Sequence, residues 1–82
     1  VKTVFYTADA AKDLKKYGNM RDRIMKTVSE YAADPAAHAN QVTVLVGLTG
    51  KRLRIGDFRV IFEETNAQIV VTKIGPRGNV YE

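Results

Sequence analysis

The chain has 82 residues, with 13 Lys and Arg against 9 Asp and Glu, a net charge of +4 and a pI near 9.6. It has no cysteine and a single histidine, His38, which excludes disulfide scaffolds, thiolate zinc sites, cysteine nucleophiles and two-histidine metal sites. Hydrophobic residues at 45% and charged residues at 27% fit one folded domain over 1–82 rather than a disordered chain. The longest apolar stretch, around Val42 to Leu48, is far short of the ~20 residues a membrane span needs. Nothing near the N-terminus reads as a signal peptide, so the cytoplasm is the default expectation. A basic balance on so small a chain suits an anionic partner, or simply keeps the domain soluble.

Lys2 to Thr7, rich in β-branched and aromatic residues, predicts a first strand. Ala10, Ala11, Leu14 and Tyr17 follow with helical spacing, and Gly18 is a candidate stop. Asn19 is a candidate cap for a second helix, with Asp22 in its first turn. Met20, Ile24, Val28, Tyr31 and Ala32 give that helix an apolar face, and Asp34-Pro35 ends it. The two helices are expected to form a hairpin. Pro35 to Gln41 reads as a loop. Four strand runs follow: Val42 to Val46, Lys51 to Ile55, Phe58 to Glu63 and Gln68 to Ile74, with Gly75-Pro76-Arg77-Gly78 breaking the sheet. This order predicts an α+β fold, in which the N-terminal strand and helical hairpin pack on a curved antiparallel sheet of four to five strands.

The most informative segment is Arg52-Leu53-Arg54-Ile55-Gly56-Asp57-Phe58-Arg59-Val60-Ile61-Phe62. Gly56-Asp57 between two alternating runs predicts a two-residue hairpin turn. Ile55 would then face Phe58, Arg54 would face Arg59, and Leu53 would face Val60. Leu53, Ile55, Phe58, Val60 and Phe62 point to the core, and Arg52, Arg54 and Arg59 share the other face. Like charges directly across a sheet are destabilising, so the arrangement needs a reason. One reason is a phosphate, which suits the rigid donor fork of arginine. The other reading has the arginines splayed into water or paired with Glu63, Glu64 or acids elsewhere. Glu63 falls on the arginine face by alternation.

Arg77 follows the last strand, where the turn can aim it across the sheet. Tyr81 reads either as an aromatic packing near a terminus or as a base-stacking or proton-transfer group. The helices carry Lys12, Lys15, Lys16, Arg21, Arg23 and Lys26, which form a solvated face or contact a phosphate backbone. His38 lies in the loop with no partner to name and is given no role.

Together these residues resemble the RelE/ParE superfamily of type II toxin–antitoxin toxins, in particular its RelE-like branch. Val4 to Thr7 with Ala10 to Lys15 look like the family's first strand and helix. The Arg52–Phe62 segment is similar to its core motif, and Ile74-Gly75-Pro76-Arg77-Gly78-Asn79-Val80-Tyr81 to its C-terminal signature. The resemblance implies a microbial-ribonuclease-like fold and a ribosome-dependent mRNA endoribonuclease that inhibits translation. Such an enzyme acts in the ribosomal A site, where the ribose 2′-hydroxyl attacks the adjacent phosphate. On this reading Arg59, Arg77, Tyr81 and Arg54 are the catalytic candidates. Arg59 polarises the scissile phosphate, and Arg54, with Arg52, offsets developing charge. Arg77 favours the transition state or the leaving oxygen, and Tyr81 stacks on a base or moves a proton. A tyrosine with its ordinary pKa of ~10 is a poor base at neutral pH unless cations lower it. Arg52, Lys51, Lys73, Lys15 and Lys16 are the RNA-binding candidates.

No metal or cofactor is implied, since attack by a 2′-hydroxyl needs none. The implied partners are a cognate antitoxin and the ribosome with its A-site mRNA. The toxin–antitoxin complex is expected to bind operator DNA through the antitoxin, and no membrane is involved. Two departures stand out. Relatives often carry histidine where this chain has Pro76, and lysine in the strand where it has Thr43, Val44 and Val46. Both lower the expected charge and proton-transfer capacity. A ParE-like inhibitor of DNA gyrase and a non-catalytic RNA- or antitoxin-binding module are the alternatives, because one fold can host several activities.

Overall fold

The structure, a computed structural model, describes residues 2–44 and 50–76. Strand β1 (Thr3–Tyr6) leads into helix α1 (Ala8–Lys16) and helix α2 (Gly18–Ala33), which are separated by Tyr17 alone. A 3₁₀ helix (Pro35–Gln41) follows, then β2 (Val42–Val44), β3 (Lys51–Ile55), β4 (Phe58–Glu64) and β5 (Gln68–Pro76). The five strands form one sheet in the order β1-β5-β4-β3-β2. The α+β architecture is as expected, but the sheet is mixed. Strands β2 to β5 run antiparallel, and β1 lies parallel to β5. Parallel neighbours need a long crossover, and the helices and the other strands lie between β1 and β5 in the chain.

Thr7 starts α1. Its side chain accepts a hydrogen bond from the Ala10 amide at 3.2 Å, meeting one of the donors a helix start leaves unpaired. Asn19 does not cap α2: the helix begins at Gly18 after Tyr17, without a side-chain cap. Asp22 accordingly falls beyond the first turn, which contains no acid. The segment read as a loop is the 3₁₀ helix, opened by Pro35, whose fixed φ suits a helix start. Of the predicted Val42–Val46 strand, Leu45 and Val46 lie outside the described residues. Gly75 and Pro76 do not break the sheet, because β5 runs through them opposite Arg59 and Phe58. Strand β1 pairs only as far as Val71, so among the described residues no strand pairs with the other side of β5 at Pro76, which is where a strand tolerates proline.

The core lies between the helices and one face of the sheet. Ala10 and Leu14 of α1 and Ile24, Val28, Tyr31 and Ala32 of α2 meet Leu53, Ile55, Val60, Phe62, Ile69, Val71 and Ile74, all buried. Each large member fully buried in this way is worth ~1.5–3 kcal/mol. Phe58 packs half-buried at the margin, edge-on to Tyr17 at 5.1 Å between ring centroids. On β5 the buried spacing changes from two (Ile69, Val71) to three (Val71, Ile74). A bulge makes this possible: Ile61 pairs with Lys73 and Phe62 with Val71, leaving Thr72 as the extra residue. The Thr72 hydroxyl donates to the Ile61 carbonyl at 3.2 Å.

Candidate nucleic-acid interface

The hairpin has the predicted register. Ile55 pairs with Phe58, Arg54 with Arg59 and Leu53 with Val60, about a turn in which Gly56 adopts φ +59°, a conformation that favours glycine. Leu53, Ile55, Val60 and Phe62 face the helices, so alternation sends Arg52, Arg54 and Arg59 to the opposite face. Ile61 joins them opposite Arg52, and Lys73, exposed, lies opposite Ile61. Strand β2 extends the row, because Thr43 pairs with Arg52.

Arg52, Arg54 and Arg59, together with Asn40, Gln41 and Thr43, line a small polar cavity of about 100 Å³. Arg59 bends back over the turn, and its Nη1 donates to the carbonyls of Phe58 at 3.1 Å and Gly56 at 3.3 Å. Among the described residues no carboxylate forms a salt bridge with Arg54 or Arg59. Two cationic groups therefore face each other across the strands without an acid between them. The rigid donor forks of such arginines have the chemistry to bind an anion such as phosphate.

The other RNA-binding candidates lie elsewhere. Lys51 alternates with Leu53 onto the helix side, where its Nζ donates to Glu64 Oε1 at 2.9 Å. Glu64, not Glu63, is the acid that gathers cations and donors. Lys2 Nζ lies 3.1 Å from its Oε2, and the Tyr31 hydroxyl donates to Oε1 at 2.6 Å. Burial by itself would raise the Glu64 carboxyl, but the hydrogen bonds from Lys51, Tyr31 and Lys2 outweigh it and hold the group at about 2. Burial, with the hydrogen bond and charge of Glu64, pushes the Tyr31 hydroxyl up.

Lys15 and Lys16 are exposed on α1, in the helical layer across the sheet from the arginines. Lys15 and Arg21 rim a groove of about 460 Å³ floored by Tyr6, Ala11, Leu14, Gly18 and Met25. Burial pushes the Tyr6 hydroxyl up. Arg77 and Tyr81 lie outside the described residues. Among the described residues no group of three or more His, Asp and Glu could hold a metal ion, and no helix is long and apolar enough to cross a membrane.

Sequence reasoning missed Asn40 and Gln41, because it took their segment for a loop, and it noted Thr43 only as the place of an absent lysine. The three-residue repeat of a 3₁₀ helix, which would stack Gln41 on His38, was the available signal.

The sequence profile of the family described as ParE toxin of type II toxin-antitoxin system, parDE, matches residues 4–81. Among solved structures, the chain is similar to one in the RelB-RelE antitoxin-toxin complex from Methanococcus jannaschii. That match has a TM-score of 0.70 and 21% identity over 89% of each chain. It is also similar to YafQ from E. coli strain BL21(DE3), with a TM-score of 0.64 and 14% identity over 94% of each chain. At these identities the two structures speak to the fold alone. A comparison with curated protein sequences finds no match.

Proposed function

The chain belongs to the ParE toxin family of type II toxin–antitoxin systems, and from that premise we propose that it is a ribosome-dependent mRNA endoribonuclease held in check by a cognate antitoxin. The observation that carries this reading is the facing pair Arg54 and Arg59 beside Arg52 in one polar cavity, with no carboxylate bridged to either member of the pair among the described residues. An enzyme that must stabilise negative charge has a use for this costly like-charge pair.

In the proposed reaction the ribose 2′-oxygen attacks the adjacent phosphorus and loses its proton. The bond to the 5′-oxygen breaks and that oxygen takes up a proton, leaving a 2′,3′-cyclic phosphate and a free 5′-hydroxyl. Arg59, already tethered to the turn, and Arg54 bind the phosphate oxygens as charge grows on them. Arg52 holds the flanking backbone. Fixed cations aimed at developing charge are commonly the largest catalytic term. The roles of Arg77 and Tyr81 rest on their match to the C-terminal signature. The antitoxin is proposed from the family and from the fold shared with the RelB-RelE antitoxin-toxin complex.

The test is primer extension on a defined mRNA in a purified translation system, with and without ribosomes. Wild type is expected to cut at codon-phased positions only when ribosomes are present. Arg59→Ala is expected to lower cutting by ~100-fold or more, the scale of losing one charge-stabilising donor. A second reading is favoured by the family match itself, whose description is that of the parDE system: inhibition of DNA gyrase. Intact mRNA under every condition, with DNA damage signalling in cells, would move the assignment there.

A further inference from the structure

The polar cavity has a wall that the arginines do not make. A 3₁₀ helix has three residues per turn, so residues i and i+3 eclipse. In Pro35–Gln41 this sets His38 over Gln41, with His38 Nδ1 3.0 Å from Gln41 Oε1. The other end of the same amide, Gln41 Nε2, donates to the Arg54 carbonyl at 3.4 Å. With Nε2 turned to that carbonyl, the amide oxygen accepts from His38 Nδ1–H. The result is a chain from His38 through Gln41 to the backbone of Arg54. It braces the helix against β3 at the residue whose side chain lines the cavity. Seven residues make a long 3₁₀ run, and Pro35 and this pair fix its two ends.

Asn40 and Thr43 line the same cavity, are exposed, and have side chains without a hydrogen-bond partner among the described residues. Arginine can only donate and phosphate oxygens accept, whereas an amide and a hydroxyl do both. The neutral side of the pocket therefore complements a group that both donates and accepts. In a nucleic acid the group of that kind next to a phosphodiester is the ribose 2′-hydroxyl, which DNA lacks.

We infer that the Pro35–Gln41 helix and Thr43 form a sugar-reading wall of the arginine pocket: His38 positions Gln41, and Asn40 and Thr43 receive a 2′-hydroxyl, so that the pocket selects RNA over DNA. This rests on the reading of the arginines as a phosphate site. The test is fluorescence anisotropy with labelled oligouridine and oligodeoxyuridine of equal length, which differ only in the 2′-hydroxyl. Wild type is expected to bind the RNA about tenfold tighter, the scale of one net hydrogen bond. Asn40→Ala with Thr43→Val is expected to bring the ratio to about one through RNA affinity alone. His38→Ala is expected to weaken RNA binding about threefold with an unchanged melting midpoint. His38→Asn, which still offers an N–H to Gln41, is expected to restore it.

Equal affinities in wild type, an unchanged ratio in the double variant, or binding of neither oligonucleotide would overturn the inference. Those outcomes leave the endoribonuclease to be judged by cleavage on the ribosome. A clear RNA preference without ribosomal cleavage would do the reverse.

Discussion

Arg54 and Arg59 face each other directly across β3 and β4, an arrangement that costs a sheet a few tenths to ~1 kcal/mol. The chain relieves part of this without an acid by turning Arg59 onto the carbonyls of Gly56 and Phe58. On the proposed function, a bound phosphate would relieve the rest. Replacing Arg54 with threonine, a good strand former, should therefore raise stability by ~0.5 kcal/mol in urea unfolding. The same change should weaken RNA binding and make the salt dependence of log K shallower by about one contact's worth, ~0.7. A destabilised Arg54→Thr with RNA affinity intact would show the pair to be structural. The motif's alternation and its Gly56-Asp57 turn made this face legible from residues alone. The same alternation puts Lys51 with Leu53 and Ile55 on the helix side, and the hairpin register sets Glu64 diagonal to it, but the further partners Tyr31 and Lys2 were not legible, because nothing local brings α2 and the N-terminal segment to that point.

At the scale of elements, helices and strands follow from periodicity, and what escaped the sequence is pairing between distant segments. The placement of β1 parallel to β5 is one case. Another is what happens where β1 ends at Val71 and leaves the β5 edge open. There α1 takes over the edge. The Thr7 amide donates to the Val71 carbonyl at 3.0 Å, and the Thr7 hydroxyl to the Thr72 carbonyl at 3.3 Å. The Ile74 amide donates to Asp13 Oδ2 at 2.9 Å. In the sequence Asp13 is only one acid among the lysines of α1. In the fold it satisfies a backbone donor just past the bulge and fixes the strand that leads to Arg77. Asp13→Ala leaves that part-buried amide unpaired and should cost ~1–3 kcal/mol. Asp13→Asn keeps an acceptor and should cost less. Urea unfolding gives the totals, and hydrogen exchange at the Ile74 amide should speed up in the alanine variant first. Equal exchange in both would mean that water replaces the carboxylate without loss.

At the scale of the whole molecule, two charged clusters sit on opposite sides of the sheet and do different work. The arginine face gathers Arg52, Arg54 and Arg59 around one polar cavity, with no carboxylate bridged to Arg54 or Arg59 among the described residues. The Glu64 cluster spends its charges internally and joins Lys2 beside β1, Tyr31 of α2, Lys51 of β3 and β4 itself. The two should separate under acid. Glu64 is held at about 2, against an ordinary value of 4.5. A depressed folded-state carboxyl adds stability that is complete above ~4.5 and is lost as pH falls through about 2. Stability should therefore decline between those limits, and Glu64→Gln should remove that part of the slope. At neutral pH the variant should be less stable by ~3 kcal/mol, the scale of breaking a buried pair, and its curve should meet that of wild type near pH 2. The arginine face lies across the sheet from Glu64, so oligouridine affinity at pH 5, where Glu64 is still ionised, should match wild type in the variant wherever it remains folded. Parallel stability curves would mean that the carboxylate is not linked to folding. A joint loss of stability and RNA affinity at pH 5 would mean that the two faces are coupled through β3, the strand that carries both Lys51 and Arg54.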